Sequence, residues 1–208
     1  VDIAAIAARA PVIPVLTIES RETAIPLARA LVKGGLPVLE ITLRTGAALD
    51  ALKAIAAEVP DAVVGAGTVL DAAQLEQVQR AGARFAVSPG CTPALAAAAR
   101  SAGLPFLPGV QTVSEAMTFA DHGFRLLKFF PADSAGGIAW LKAVAAPLAG
   151  LGFCPTGGIT AETAPAYLAL ANVACVGGSW VAPRAAVASG DWATVERLAA
   201  AASTLKGR

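Results

Sequence analysis

Two apolar patterns alternate along this chain. Short β-branched runs recur as VIPVLTI from Val12, PVLEITL from Pro37, AVVGAGTV from Ala62, RFAVSP from Arg84, PFLPGV from Pro105, LLKFFPA from Leu126, FCPTGGI from Phe153 and ACVGGSW from Ala174. Each has strand length and is bounded by turn-forming residues, so the pattern predicts about eight strands. Between them lie alanine-rich segments with helical periodicity, such as RETAIPLARALVKGG, TGAALDALKAIAAEVP, DAAQLEQVQRAGA, TPALAAAARSAG and TVSEAMTFADHG. Most end in Gly, and Ser20 to Thr23 and Thr112 to Glu115 carry the polar start chemistry of a helix. The leading VDIAAIAARAPVIPVL has an early Asp2, lacks a basic stretch and runs into strand-like sequence, so it reads as a short helix rather than a signal peptide.

Strand then helix, repeated about eight times at roughly twenty to twenty-seven residues per unit, is the pattern of a parallel sheet closed by right-handed crossovers. An open doubly wound sheet has fewer units and a Gly-rich loop after strand one, where this chain has TIESRET. The expected fold is α/β, a (β/α)8 TIM barrel forming one domain over residues 1–208, with the leading helix covering its bottom.

Composition narrows the classes of function. With 208 residues, 56% of them hydrophobic and 15% charged, the chain can bury a sizeable core. A mean hydropathy of +0.64 raises the question of a membrane, but no run approaches the about eighteen uncharged apolar residues a spanning helix needs. Sixteen basic and fifteen acidic residues give a net charge of +1 with neither sign concentrated, which argues against nucleic acid as a partner. Cys91, Cys154 and Cys175 stand far apart with His122 as the one imidazole, so neither a disulfide framework nor a metal site is expected, and no cofactor is implied. The cysteines read as small buried hydrophobes of a cytoplasmic protein, and His122 as an exposed residue at a helix end.

In a barrel of this kind the chemistry lies at the C-terminal ends of the strands. Alternation in PVLEITLRT puts Glu40, Thr42 and Arg44 on one face, and a glutamate inside an apolar strand is either paired, with Arg44 as the near partner, or functional. In LLKFFPA the same alternation groups Lys128 with Leu126 and Phe130. If Lys128 points inward, its apolar flanks leave part of the amine neutral and nucleophilic; otherwise its head reaches the rim. Thr68, Ser88 and Pro89 end strands three and four and can line a pocket. PTGGI and VGGSW end strands seven and eight, where barrels receive phosphate, making Gly157, Gly158, Gly178 and Ser179 candidate anion donors. Trp140, Trp180 and Trp192 read as packing or interface groups.

EITLRT, GAGTV, SPG, KFFPA, PTGGI and GGSW, in this order and spacing, resemble the class I 2-keto-3-deoxy-6-phosphogluconate (KDPG) and 4-hydroxy-2-oxoglutarate (KHG) aldolases. The resemblance runs from about Pro11 to Pro183. It implies a homotrimeric barrel enzyme of the Entner–Doudoroff pathway that cleaves the phosphorylated keto acid KDPG to pyruvate and D-glyceraldehyde 3-phosphate. It implies Lys128 as the Schiff-base lysine and Glu40 as the proton-transferring carboxylate. Arg44 and Thr68 match groups that hold the substrate carboxylate, Pro89 and Phe130 the pyruvyl pocket, and Thr156, Gly157, Gly158 and Ser179 the hydroxylated, phosphorylated end. A sister group acting on the galactonate epimer resembles EIPLNS and VGGV where this chain has LRT and PTGGI, so Arg44 and Thr156 favour the gluconate substrate. Strand one ends in TIES where many relatives carry a basic residue; Thr17 and Glu19 stand there instead. From the residues alone, a phosphate-binding isomerase or epimerase, with Glu40 shuttling a proton and Lys128 polarising an oxygen, remains open, as does a binding protein without turnover.

Overall fold

The computed structural model describes residues 2–205. A short helix α1 (Ile3–Ala7) precedes strand β1 (Val12–Leu16) and helix α2 (Arg21–Lys33). Then follow β2 (Val38–Thr42), α3 (Ala48–Glu58), β3 (Val63–Gly67), α4 (Ala72–Arg80), β4 (Ala86–Val87) and α5 (Pro93–Ala102). The next part comprises β5 (Phe106–Leu107), β6 (Gly109–Val110), α6 (Val113–Asp121), β7 (Leu126–Phe129) and α7 (Gly137–Val144). The chain ends with β8 (Gly152–Pro155), α8 (Ala164–Leu168), β9 (Val176–Gly178), α9 (Arg184–Ser189) and α10 (Trp192–Ser203). Each apolar run named above contains a strand, and each alanine-rich segment a helix.

The strands pair in parallel in two sheets, one of six in the order β5-β4-β3-β2-β1-β9 and one of three in the order β6-β7-β8. Parallel pairing is the outcome of the strand–helix alternation, since each crossover helix returns the chain to the same end. PFLPGV, expected as one strand, is two short ones separated by Pro108. Proline has no N–H to continue a ladder, but its carbonyl still accepts from Lys128 N at 2.8 Å. An isolated bridge between Thr156 and Gly177 links the end of β8 to β9.

Two apolar clusters fill the molecule. The larger lies between strands and helices and includes Leu31, Leu39, Ile41, Leu52, Phe119, Leu127, Phe129 and Phe153. Trp140 stacks on Phe129 with ring centroids 4.3 Å apart and meets Phe153 edge-on. The smaller joins Ile3, Ile6 and Ala7 of α1 to Ile13, Val38, Phe85, Leu107, Leu126, Cys154 and Cys175 from successive strands. The leading helix thus covers one end of the strands, as its position suggested. Val38 and Leu126 belong to this inner layer while Leu39 and Leu127 belong to the outer one, so strict alternation places Glu40 and Lys128 inward.

Three local expectations change. Thr112 and Glu115 form a reciprocal capping box at α6, whereas Ser20 occupies the N-cap of α2 without a side-chain cap bond; there Thr23 Oγ1 donates to the Ser20 carbonyl at 2.9 Å. Cys154 and Cys175 are buried, but Cys91 is half-buried, and desolvation pushes its thiol up to about 11. His122 is half-buried rather than exposed; it ends α6, and its carbonyl accepts from Arg100 Nη1 at 2.6 Å.

Candidate active site

Glu40 and Lys128 come from strands 88 residues apart and meet inside the fold. Lys128 Nζ lies 3.1 Å from Glu40 Oε1, and both side chains are about 3–4% exposed. Lys128 Nζ also stands 5.4 Å from the centre of the Phe130 ring. Gly67 makes the pair possible: a Cβ at that position would overlap the Glu40 carboxylate. Glycine here serves close approach rather than a turn.

Arg44, just beyond β2, does not pair with Glu40. Its Nε donates to Thr68 Oγ1 at 3.2 Å, which holds the guanidinium on the β2–β3 side. Thr68 has φ of 61°, unusual for a β-branched residue, so its backbone is strained at the position that anchors the arginine. Thr42 is buried, and its hydroxyl donates to the Leu16 carbonyl at 2.9 Å.

Lys128 opens onto a cavity of about 840 Å³. Arg44 lines it at the end of β2, and Thr156, Gly157, Gly158, Gly178 and Ser179 line it at the ends of β8 and β9, where the Phe130 ring lies against Gly157. Gly157 and Gly158 have φ of 99° and 77°, the left-handed region that glycine adopts without cost. Gly178 has another reason: the Trp180 ring packs where its Cβ would stand. Glu40 lies behind Lys128 and Thr68 behind Arg44, outside the lining itself. Pro89 does not line the cavity; it follows β4, where its carbonyl crowds the Gly109 backbone. Ser88 is buried and accepts from Gly109 N at 3.2 Å, a structural contact. His122 is not part of the lining, nor are the three cysteines. Among the described residues no cluster of three or more His, Cys, Asp or Glu is placed to hold a metal, and no helix is long and apolar enough to cross a membrane.

Thr17, Glu19, Trp180 and Arg184 also line the cavity. Arg184 belongs to none of the motifs in the sequence, though it follows the GGSW run closely, at the strand end where a barrel receives phosphate. Its Nη2 lies 3.4 Å from Glu19 Oε1, an ion pair between the β1–α2 loop and the first residue of α9.

A parallel α/β fold with a buried amine–carboxylate pair facing a cavity at the C-terminal strand ends defines the class, one in which carbonyl addition to lysine and proton transfer can occur side by side. A family profile described as KDPG and KHG aldolase matches residues 3–198. The 2-dehydro-3-deoxy-phosphogluconate aldolase of Pseudoalteromonas atlantica is 52% identical over 189 residues, covering 91% of this chain and 88% of that protein. The KHG/KDPG aldolase of Escherichia coli is 51% identical over 189 residues, covering 91% and 89%. The structure of the Legionella pneumophila KDPG aldolase, with pyruvate captured at low pH as a covalent carbinolamine intermediate, superposes with a TM-score of 0.96 at 46% identity, covering 98% of this chain and 99% of that one. The chain belongs to the KDPG and KHG aldolase family.

Proposed function

We propose that this chain is a class I aldolase that cleaves KDPG to pyruvate and D-glyceraldehyde 3-phosphate. The observation that carries the reading is the 3.1 Å contact between buried Lys128 and Glu40 at the wall of the cavity. The contact lets a proton pass from Nζ to Oε1, producing a neutral amine without water or metal. The amine adds to the substrate C2 ketone; protonated Glu40 gives its proton to the departing hydroxyl, and the iminium forms as water leaves. The restored Glu40 carboxylate removes the C4 hydroxyl proton, directly or through a water. The C3–C4 bond breaks, its electrons enter the iminium, and an enamine remains as the aldehyde phosphate departs. Glu40 then returns the proton to C3, and hydrolysis frees pyruvate and Lys128.

Arg44, held by Thr68, takes the substrate carboxylate and orients C2 against the amine. Phe130 and Pro89 border the pyruvyl end, Pro89 from outside the cavity lining. Thr156, Gly157, Gly158, Gly178 and Ser179 take the hydroxylated, phosphorylated end, where backbone amides can approach an anion. KHG shares the pyruvyl half and is a second substrate of the same site. Arg44 and Thr156 support the gluconate over the galactonate epimer.

Residues 1–208 form one domain in this proposal, with Val1 and 206–208 outside the described residues, and the two sheets are one eight-stranded barrel. Continuity through Pro108 on one side and the Thr156–Gly177 bridge on the other support closure. The protein acts as a homotrimer in the cytoplasm, on a small phosphorylated keto acid.

Sodium borohydride in the presence of pyruvate tests the chemistry. Reduction of the imine adds a pyruvyl-derived mass to Lys128, and Lys128→Ala loses both the label and the cleavage. Labelling elsewhere, or cleavage surviving in Lys128→Ala, removes the Schiff-base reading and leaves the isomerase or epimerase class.

A further inference from the structure

The charged side chains lining the cavity are Glu19, Arg44, Lys128 and Arg184. Lys128 is committed to Glu40, and Arg44 is tied to Thr68 on the β2–β3 side. The sheet order β3-β2-β1-β9 puts Arg184 on the far side of β1 from Arg44, next to the glycine-rich ends of β8 and β9. The cavity therefore has one guanidinium at each end. A substrate with a carboxylate at one end and a dianion at the other fits this arrangement, and the backbone amides around Gly158 and Gly178 supply direction without a full charge.

We propose that Arg184 binds the phosphate of the substrate and that Glu19 is the counterion it leaves to do so. The assignment rests on the aldolase reading and deepens it at the phosphate end. Arg184 is 93% exposed and Glu19 64%, and the pair spans 3.4 Å. An exposed pair of this kind is weak and screened, so it opens readily. Phosphate accepts two parallel hydrogen bonds from a guanidinium and carries more charge than a carboxylate, so it displaces Glu19. The displaced carboxylate stays at the mouth and repels the bound dianion, which sets a limit on affinity and favours release of the aldehyde phosphate. The acidic residue that stands at the end of strand one, where a cation would be useful, is thereby paired with a cation delivered from the start of α9.

The test is steady-state cleavage of KDPG by the full chain and by Arg184→Gln and Glu19→Gln, with borohydride labelling of Lys128 by pyruvate run on all three. Arg184→Gln raises KM by about tenfold or more with kcat within about twofold, since it removes a charge-assisted hydrogen bond remote from the reacting carbons. Glu19→Gln leaves KM at or below the parent value. Pyruvate carries no phosphate, so its labelling rate is unchanged in both variants. A KM for Arg184→Gln within twofold of the parent, or a KM that rises in both variants as loss of a structural strap predicts, overturns the assignment. Absence of labelling in the parent chain instead removes the aldolase reading itself.

Discussion

Lys128 and Glu40 each lose nearly all contact with water, and each does so against the other. Removing one partner from a buried ion pair leaves an uncompensated charge, while replacing both by apolar or neutral groups of similar shape does not. Lys128→Met is therefore expected to lower stability by about 3–5 kcal/mol. The double variant Lys128→Met/Glu40→Gln recovers most of that, and both variants are inactive. Urea denaturation measures the difference; a single variant as stable as the parent shows that the two charges are not coupled. Alternation assigns each side chain to one face of its strand, because period two is a property of each strand alone, but it leaves open whether Lys128 points inward or reaches the rim. It left Arg44 as the obvious partner for Glu40, four residues away. Their meeting across 88 residues depends on which strands stand opposite, and that is not written in either segment. Thr68 was legible as a strand-end residue, but its left-handed backbone was not, since nothing in GAGTV distinguishes Thr68 from its neighbours in φ.

Among the elements, α1 shows how a five-residue helix can matter more than its length suggests. Such a helix has little intrinsic stability. It persists because Ile3, Ile6 and Ala7 complete the inner layer formed by Ile13, Val38, Phe85 and Leu126. Ile6→Ala is expected to cost about 2–5 kcal/mol by opening a cavity in that layer, read as a lower midpoint of thermal or urea unfolding. Kinetic constants at the opposite strand ends stay unchanged below the transition. A loss within 0.5 kcal/mol, the range of an ordinary surface change, contradicts the plugging role. The same scale explains the division of PFLPGV. Its apolar run predicted one strand correctly in place and direction, but Pro108 interrupts the ladder, and a change of sheet partner cannot be read from apolar periodicity. Ser20 and Thr112 are both hydroxyl N-caps, but the third helical position is Thr23 in α2 and Glu115 in α6, so only α6 carries the carboxylate that reaches back to its cap.

For the whole molecule, a net charge near zero and the absence of any charge block leave association to local surfaces rather than to a global field. The proposed trimer of a 20.7 kDa chain predicts a sedimentation-equilibrium mass about three times that value. A monomer mass at micromolar concentration rules the trimer out. The sequence was sufficient for what is local or repeated: strand and helix periods, the parallel α/β class, the face of its strand that Glu40 or Lys128 shares with its neighbours, and the strand ends where chemistry belongs. Spatial adjacency came from the folded chain. Pairing order and register brought Lys128 to Glu40, Arg44 to Thr68, and Arg184 to Glu19 across 165 residues. The reason is physical: side-chain direction along a strand follows from backbone geometry one residue at a time, whereas distance between strands is set by the packing of all of them together.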